Sequence, residues 1–231
     1  MNDNQLKAIK ASIKAGDAIM EIYNQDFDVE YKDDASPLTE ADKNANAIIM
    51  SFLETTSIPI ISEENKQTDY NERKNWDTCW IVDPLDGTKE FVKKNDEFTV
   101  NIALIEHQKS VFGVIYVPAQ RLLYVGDVEA GKAFKEEITS SDFDLDELLK
   151  GATLLEPSQN SNPIRVVGSR SHMNEDTLEH IENLKSQYQK PVEIVSKGSS
   201  LKFCLVAEAK ADVYPRYPPT IEWDTAAGQA I

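Results

Sequence analysis

The sequence is poor in cysteine, histidine and basic residues. Its 231 residues include 2 cysteines, 3 histidines and 24 Lys and Arg, against 40 Asp and Glu. Cys79 and Cys204 both lie in apolar stretches, and we interpret them as reduced core thiols of a cytoplasmic protein rather than as a disulfide or a metal pair. The histidines are scattered, which argues against a zinc site; they are His107, His172 and His180.

The shortage of cations leaves a formal net charge of −16 and an isoelectric point near 4.6. Non-specific nucleic-acid binding depends on a cationic surface, so we expect no nucleic-acid partner. The same negative field opposes the approach of a phosphorylated substrate, and any phosphate chemistry here would require metal ions and a local group of cations. Most of the acidic excess is typical of a solvated surface.

Long hydrophobic runs are also missing. No apolar run approaches the length of a membrane span, and residues 1–4 lack the basic start of a signal peptide. We therefore expect a cytoplasmic protein without a transmembrane segment. A hydrophobic content of 41% indicates a globular chain, long enough for one large domain or two modest ones. There is no internal repeat and no glycine-rich Walker loop.

Hydrophobic spacing predicts the elements of the first part of the chain. Residues 4–23 have the period of an amphipathic helix. Thr39 with Asp42 three residues later predicts a capping box at the start of a second helix. A short buried strand is expected over residues 58–62. Three further runs rich in β-formers predict an antiparallel meander, over residues 98–105, 111–117 and 122–125.

The second part of the chain alternates strands and helices. Residues 136–149 are acidic and predicted to be irregular, and residues 151–162 carry the signals of a boundary. We therefore divide the chain into an N-terminal α+β portion, 1–155, and a C-terminal α/β portion, 156–231. The alternation in the latter predicts an α/β unit. Its predicted segments are strand 164–167, helix 176–188, strand 192–195, helix 201–209 and strand 211–214.

The most informative stretch is Asp83-Pro84-Leu85-Asp86-Gly87-Thr88, which follows a buried apolar run. Pro84 is predicted to end the strand and Asp83 to cap a helix. Two carboxylates beside free helix amides suit a hard cation next to a phosphate. The same residues also suit an ordinary surface turn, and taken alone they favour the turn.

Cations cluster in the loops of the C-terminal portion. Each alone is more often a solvated side chain, but their concentration at strand ends of an acidic chain predicts an anion site. These residues are Arg170, His172, Lys197, Lys202 and Arg216.

Three separated segments together resemble the signatures of the inositol monophosphatase superfamily, whose members are magnesium-dependent, lithium-sensitive phosphatases. They are Glu63-Glu64, residues 83–88 and residues 223–228. Longer stretches resemble the 3′(2′),5′-bisphosphate nucleotidase branch, namely 36–42, 86–91, 98–104 and 198–204. The resemblance covers nearly the whole chain. It implies a layered α-β-α-β-α sandwich, as in the inositol monophosphatase and fructose-1,6-bisphosphatase sugar-phosphatase fold.

The resemblance also implies roles for particular residues. Two or three Mg2+ ions would be held by Glu63, Asp83, the Leu85 carbonyl, Asp86 and Asp224. Glu63 and Thr88 would orient the attacking water, with Asp42 as support. The amides of Gly87 and Thr88 would hold the phosphate. The nucleotide would be contacted by His172, Ser199, Lys202 and Arg216.

The implied reaction is removal of the 3′-phosphate of adenosine 3′,5′-bisphosphate (PAP), with 3′-phosphoadenosine 5′-phosphosulfate as a further substrate. Residues 89–91 and 199–202 favour this branch over inositol monophosphatase or fructose-1,6-bisphosphatase activity. A non-catalytic metal- or phosphate-binding protein is the other alternative.

Two further expectations come from the resemblance. Proteins of this branch are associated peripherally with the cytoplasmic face of the inner membrane. In the family the chain continues beyond the helix that carries Asp224, whereas this sequence stops at Ile231. We therefore expect part of the packing around Asp224 to be missing.

Overall fold

The computed structural model describes residues 1–31, 37–140, 143–159, 161–168, 174–217 and 219–231. The helices are α1 (Asp3–Tyr23), α2 (Glu40–Leu53), α3 (Tyr70–Arg73), α4 (Thr88–Val92), α5 (Leu145–Gly151), α6 (Glu175–Tyr188), α7 (Leu201–Ala207) and α8 (Glu222–Ala230). The strands are β1 (Val29–Tyr31), β2 (Pro37–Thr39), β3 (Ile60–Ser62), β4 (Thr78–Asp86), β5 (Thr99–Glu106), β6 (Lys109–Val117), β7 (Leu122–Asp127), β8 (Lys132–Glu137), β9 (Thr153–Leu154), β10 (Ile164–Gly168) and β11 (Val192–Ser196).

A large sheet runs through the centre in the order β3-β4-β5-β6-β7-β8-β9. Strand β3 is parallel to β4, and the other neighbours are antiparallel. The predicted meander is confirmed as β5, β6 and β7. The irregular stretch predicted over 136–149 is wrong in part, because α5 begins inside it. Leu148 and Leu149 pack against the core from that helix, and this burial outweighs the acidic composition that suggested a loop.

Helices α1 and α2 cover one face of the sheet. The predicted amphipathic α1 is confirmed: Ile9, Ile13 and Ile19 are fully buried in the core beneath it. The predicted capping box of α2 is also present. The Thr39 amide donates to Asp42 Oδ2 over 2.7 Å, and the Ala41 amide donates to Thr39 Oγ1 over 3.2 Å.

The opposite face of the sheet carries α7 and α8. Side chains from both helices form a second core with the sheet, among them Leu201, Cys204 and Ala227. Strands β10 and β11 pair in parallel next to α7, and α6 packs on that pair. The layers therefore alternate as helices, sheet, helices, sheet and helix, as the family resemblance implies. Cys79 and Cys204 are both free thiols.

The strand predicted over 211–214 is wrong. The amides of Asp212 and Val213 both donate to the carbonyl of Arg165, over 2.7 and 3.2 Å. A regular β-ladder does not place two consecutive amides on one carbonyl acceptor. The segment therefore forms only an isolated parallel β-bridge, between Val166 and Val213. The Asp212 carboxylate, which accepts from both the Arg165 amide and its guanidinium, holds this arrangement.

Helix α8 lies directly on the large sheet, with backbone against backbone. A Cβ added to Gly113 would lie 2.3 Å from the Ala227 carbonyl oxygen, and one added to Gly126 would lie 2.0 Å from that of Ala230. Ser110 Oγ donates to the Ala226 carbonyl over 2.5 Å. The division of the chain at residue 155 stays a prediction. Helix α8, which belongs to the second portion, packs on the large sheet of the first portion. No helix in the described ranges is long and apolar enough to cross a membrane.

This close approach predicts that Gly126→Ala is destabilising. The added methyl group must displace α8, and overpacking of this kind costs about 1–3 kcal/mol in the free energy of unfolding. Urea unfolding of the purified chain measures it. Gly151→Ala is the matched control, because its Cβ would meet nothing closer than 3.8 Å. Equal stability of the two variants would show that α8 does not pack on the sheet in this way.

Candidate active site

The site begins where β4 ends. Strand pairing shifts between Asp83 and Asp86, which places a bulge over Pro84 and Leu85. The predictions that Pro84 ends the strand and that Asp83 caps a helix are therefore wrong. A bulge leaves its extra residue without a ladder partner, so the missing proline amide removes no hydrogen bond. Asp83 instead accepts the Leu85 amide over 3.1 Å, and α4 begins two residues after Asp86.

Gly87 makes the turn from β4 into α4. Its φ is +92°, a left-handed conformation that glycine adopts without strain. A Cβ at this position would lie 2.9 Å from the Glu97 carbonyl oxygen and 3.0 Å from Ser199 Cβ. The glycine therefore brings the start of α4 against the loop before α7. Phosphate binding by the amides of Gly87 and Thr88 stays a prediction.

Acidic side chains gather at the ends of β3 and β4. Glu63 directly follows β3, and its amide donates to the Val82 carbonyl over 3.2 Å. Asp83 is 2% exposed, and its carboxyl group is hydrogen bonded to Glu63. Burial raises the pKa of Asp83 well above its usual range, and the charges of Asp86, Glu63 and Asp224 raise it further. Negative charge is thus concentrated in a water-poor place.

Asp42 lies behind Thr88. The Thr88 hydroxyl is 3.2 Å from Asp42 Oδ1 and 3.2 Å from the Leu85 carbonyl oxygen, so its one proton goes to either acceptor. Asp42 is buried, and its other oxygen accepts from the amide and the hydroxyl of Thr39. Burial raises the pKa of Asp42, while the hydrogen bonds from Thr39 lower it.

Asp224 lies at the start of α8 and faces Arg216. Its Oδ2 accepts from Arg216 Nη2 over 2.9 Å, from Thr220 Oγ1 over 2.6 Å and from the Ile221 amide over 3.1 Å. Within the part of the chain that the structure describes, no three His, Cys, Asp or Glu side chains are already placed to hold one metal ion. Glu63, Asp83 and Asp86 lie together where β3 and β4 end, and Asp224 is paired with Arg216.

A pocket of about 360 Å3 opens beside Asp86, and four predicted substrate residues line it: Gly87, Ser199, Lys202 and Arg216. Lys202 is 5% exposed; its Nζ donates to the Ser199 carbonyl and lies 5.7 Å from the Tyr214 ring centroid. Burial lowers the pKa of Lys202, Asp86 raises it, and Arg216 lowers it again. Arg216 also donates to the Tyr214 hydroxyl over 2.9 Å.

The remaining predicted cations are placed as follows. Lys197 is about one third exposed, and its Nζ lies 3.4 Å from Oε1 of the buried Glu97, so this cation is already paired. Arg170 and His172 lie outside the described residues.

Three residues beside Asp86 were not singled out as site residues in the sequence: Thr99, Asn101 and Ser200. Their side chains are buried and hydrogen bonded in a row that ends on Asp86. The signal for two of them was present, because Thr99 and Asn101 are polar at alternate positions of an apolar strand and therefore share one face. Ser200 lies in the stretch 199–202 that favours the branch, but the sequence does not show that it contacts Asp86, 114 positions away.

A group of buried and half-buried carboxylates beside a pocket with lysine and arginine suits metal-assisted phosphate chemistry. A family model described as the inositol monophosphatase family matches residues 1–231. The chain belongs to the inositol monophosphatase family.

Curated relatives carry a more specific name. The chain is 45% identical to the 3′(2′),5′-bisphosphate nucleotidase CysQ of Shigella flexneri, over 94% of this chain and 82% of that protein. It is 43% identical to the CysQ of Buchnera aphidicola, over 97% of this chain and 79% of that protein. The family and the branch predicted from the sequence agree with these relatives.

Solved structures agree on the fold. The crystal structure of CysQ from Bacteroides thetaiotaomicron, described as a bacterial member of the inositol monophosphatase family, has a TM-score of 0.85 and 46% identity. The match covers 98% of this chain and 84% of that one. SuhB from Bartonella henselae, at 23% identity, shares the fold with a TM-score of 0.72. The predicted fold class is confirmed.

The crowded carboxylates predict that Asp83→Asn stabilises the cation-free chain. The raised pKa of Asp83 means that its ionised form is disfavoured in the folded state, so stability is lost as the pH rises from the unfolded pKa near 4. Asparagine keeps an oxygen for the Leu85 amide and removes the charge. We expect the free energy of unfolding to rise by about 0.5–2 kcal/mol at pH 8, and by less near pH 4.

Urea unfolding with a chelator, at both pH values, measures this difference. The exposed Asp28→Asn is the control, since it removes the same charge from a solvated position. A native chain more stable than Asp83→Asn at pH 8 without cations would contradict the crowding of charge at this edge.

Proposed function

We propose that the chain is a magnesium-dependent 3′(2′),5′-bisphosphate nucleotidase that converts PAP to AMP and phosphate, with 3′-phosphoadenosine 5′-phosphosulfate as a further substrate. One observation carries the proposal. The carboxylate edge formed by Glu63, Asp83 and Asp86 adjoins a pocket lined by four cationic side chains, among them Lys202 and Arg216. A substrate with two phosphates can therefore place one at the carboxylate edge and the other on these cations. The names of the relatives support the same substrate class.

The residues at the edge fit a hard divalent cation. Their donors are all oxygen atoms, which suit Mg2+. A buried hydrogen bond between two carboxyl groups, as in Glu63 and Asp83, requires a shared proton, and a divalent cation can replace that proton. Glu63, Asp83, Asp86 and the Leu85 carbonyl would hold the metal, and Asp224 would join them after parting from Arg216. We propose two or three ions.

When bound at this edge, Mg2+ would supply positive charge against the phosphate oxygens and would make an attacking water more acidic. The chain itself orients that water. Because the Thr88 proton is directed to Asp42 or to the Leu85 carbonyl, the lone pairs of Thr88 Oγ1 accept a hydrogen bond from the water. The Glu63 carboxylate accepts the water proton. Asp42, held by Thr39, keeps the Thr88 hydroxyl in place.

The pocket residues bind the rest of the nucleotide. The amides of Gly87 and Thr88 hold the scissile phosphate, and Ser199, Lys202 and Arg216 hold the second one. Lys202 is suited to this task because its side chain is almost fully buried. The attraction between an ammonium group and a phosphate is stronger where water is excluded than in bulk solvent. A contact from His172, a cytoplasmic location and peripheral attachment to the inner membrane stay predictions from the sequence.

A comparison of three substrates tests the proposal. Phosphate release with Mg2+ is measured from PAP, inositol 1-phosphate and fructose 1,6-bisphosphate, and we expect a clear preference for the nucleotide. Asp86→Asn should lower turnover by more than about 100-fold while leaving the fold intact, since loss of even an indirect metal contact costs about 10–100-fold. Circular dichroism confirms folding.

Each outcome of that comparison discriminates between the alternatives. Preference for either sugar phosphate would keep the metal chemistry and overturn the nucleotide assignment. No release from any substrate by a folded chain would favour a non-catalytic binding protein. Ordinary turnover by Asp86→Asn would contradict its assignment as a metal ligand.

The second phosphate gives a further prediction. Lys202→Ala should raise the Michaelis constant for PAP by about 10–100-fold, the equivalent of one hydrogen bond to a charged group. Its effect on 3′-AMP, which lacks the 5′-phosphate, should be much smaller. Lys185→Ala, which removes a lysine from the exposed side of α6, is the control. Equal increases for the two substrates would show that Lys202 does not contact the second phosphate.

A further inference from the structure

A row of buried polar groups lies behind Asp86. Thr99, Asn101 and Ser200 are 0%, 1% and 2% exposed. Thr99 Oγ1 donates to Asn101 Oδ1 over 3.0 Å, Asn101 Nδ2 donates to Ser200 Oγ over 3.0 Å, and Ser200 Oγ donates to Asp86 Oδ2 over 2.7 Å. Burial of three polar side chains is costly unless each is satisfied, and here each one is. We call these three residues the relay.

Each hydrogen bond of the relay is donated in the direction of Asp86. The Thr99 hydroxyl fixes the Asn101 amide with its oxygen away from Asp86, and the opposite orientation would turn that oxygen toward a carboxylate. Ser200 accepts from Asn101 and has one proton to give. That proton goes to Asp86 Oδ2, which is closer than the other acceptor nearby, the Asp224 carbonyl oxygen at 3.4 Å.

The relay therefore engages one oxygen of Asp86. Asn101 Nδ2 lies 3.5 Å from that same oxygen, Oδ2, as a second and longer approach. From the described part of the chain, no donor reaches Oδ1. A carboxylate held through one oxygen presents the other oxygen in a fixed direction.

The relay also joins the parts of the chain that form the site. Thr99 and Asn101 belong to β5, which pairs with β4 at Asp83 and Asp86. Ser200 precedes α7 and touches the backbone of Asp224 at the start of α8. One hydroxyl thus lies between two predicted metal ligands, Asp86 and Asp224, that are far apart in the sequence.

We infer that Thr99, Asn101 and Ser200 are positioning residues, which hold Asp86 in the orientation that binds a divalent cation. The inference rests on the proposed function, because it assigns the relay to the metal site of that reaction. It predicts that loss of the Ser200 hydroxyl lowers the affinity for a divalent cation while the chain stays folded.

Binding of Mn2+, a paramagnetic probe for a Mg2+ site, tests the inference without any substrate. Electron paramagnetic resonance of free Mn2+ measures the dissociation constant for the full chain, and excess Mg2+ confirms that the two cations compete. Ser200→Ala should weaken binding by about 10–100-fold, the usual effect of losing a group that supports a metal ligand. Thr99→Val, which keeps the shape of the side chain, should weaken it to a smaller degree by releasing the Asn101 amide.

Ser12→Ala is the matched control. Its hydroxyl is equally buried and donates to the Ile9 carbonyl inside α1, away from the site. We expect native affinity for this variant, and thermal unfolding shows how much stability each substitution removes. Weakening by Ser200→Ala and Thr99→Val, with Ser12→Ala at native affinity, supports the relay.

The other outcomes overturn it in distinguishable ways. Native affinity in both relay variants overturns the relay and leaves the proposed function standing. Equal weakening in Ser12→Ala assigns the effect to general loss of stability and overturns the relay. No saturable binding to the native chain overturns the metal-dependent function and the relay together.

Discussion

The structure depends on the crowding of carboxylates at the end of one sheet. Asp83 is almost fully buried, shares a hydrogen bond with Glu63 and lies within the fields of Asp86 and Asp224. Such charge is unfavourable in a water-poor place unless donors or cations balance it. The surrounding elements supply that balance in part: the Leu85 amide for Asp83, the relay for Asp86 and Arg216 for Asp224. A divalent cation would complete it.

The layers of the sandwich bring these partners together. Helix α8 reaches the sheet because Gly113 and Gly126 leave room for its backbone, and this contact places Asp224 near β4. Gly87 does the same for the loop before α7, since a side chain there would meet Ser199 Cβ. Small residues on the sheet thus set the distances between acidic and cationic groups, and packing and chemistry depend on the same positions.

Several features were predicted from the sequence because their causes are local. The period of α1, the capping box of Thr39 and Asp42 and the runs of β-formers in the meander each depend on residues a few positions apart. The family signatures identified Glu63, Asp83, Asp86 and Asp224 as candidate ligands. The errors were also local in origin. Pro84 was expected to end a strand, and the bulge that accommodates it is set by pairing with β5, which local sequence does not reveal.

The sequence by itself determined α1, α2, the meander, the family with the layer order that the family implies, and the oxygen-rich character of the site. Only the tertiary structure decided that Asp224 pairs with Arg216, that Thr88 contacts Asp42 across 46 positions and that Ser200 donates to Asp86 across 114. The physical reason is range. Backbone periodicity and capping act within one or two turns, whereas a hydrogen bond between distant residues exists once the layers have packed and set the distance between them.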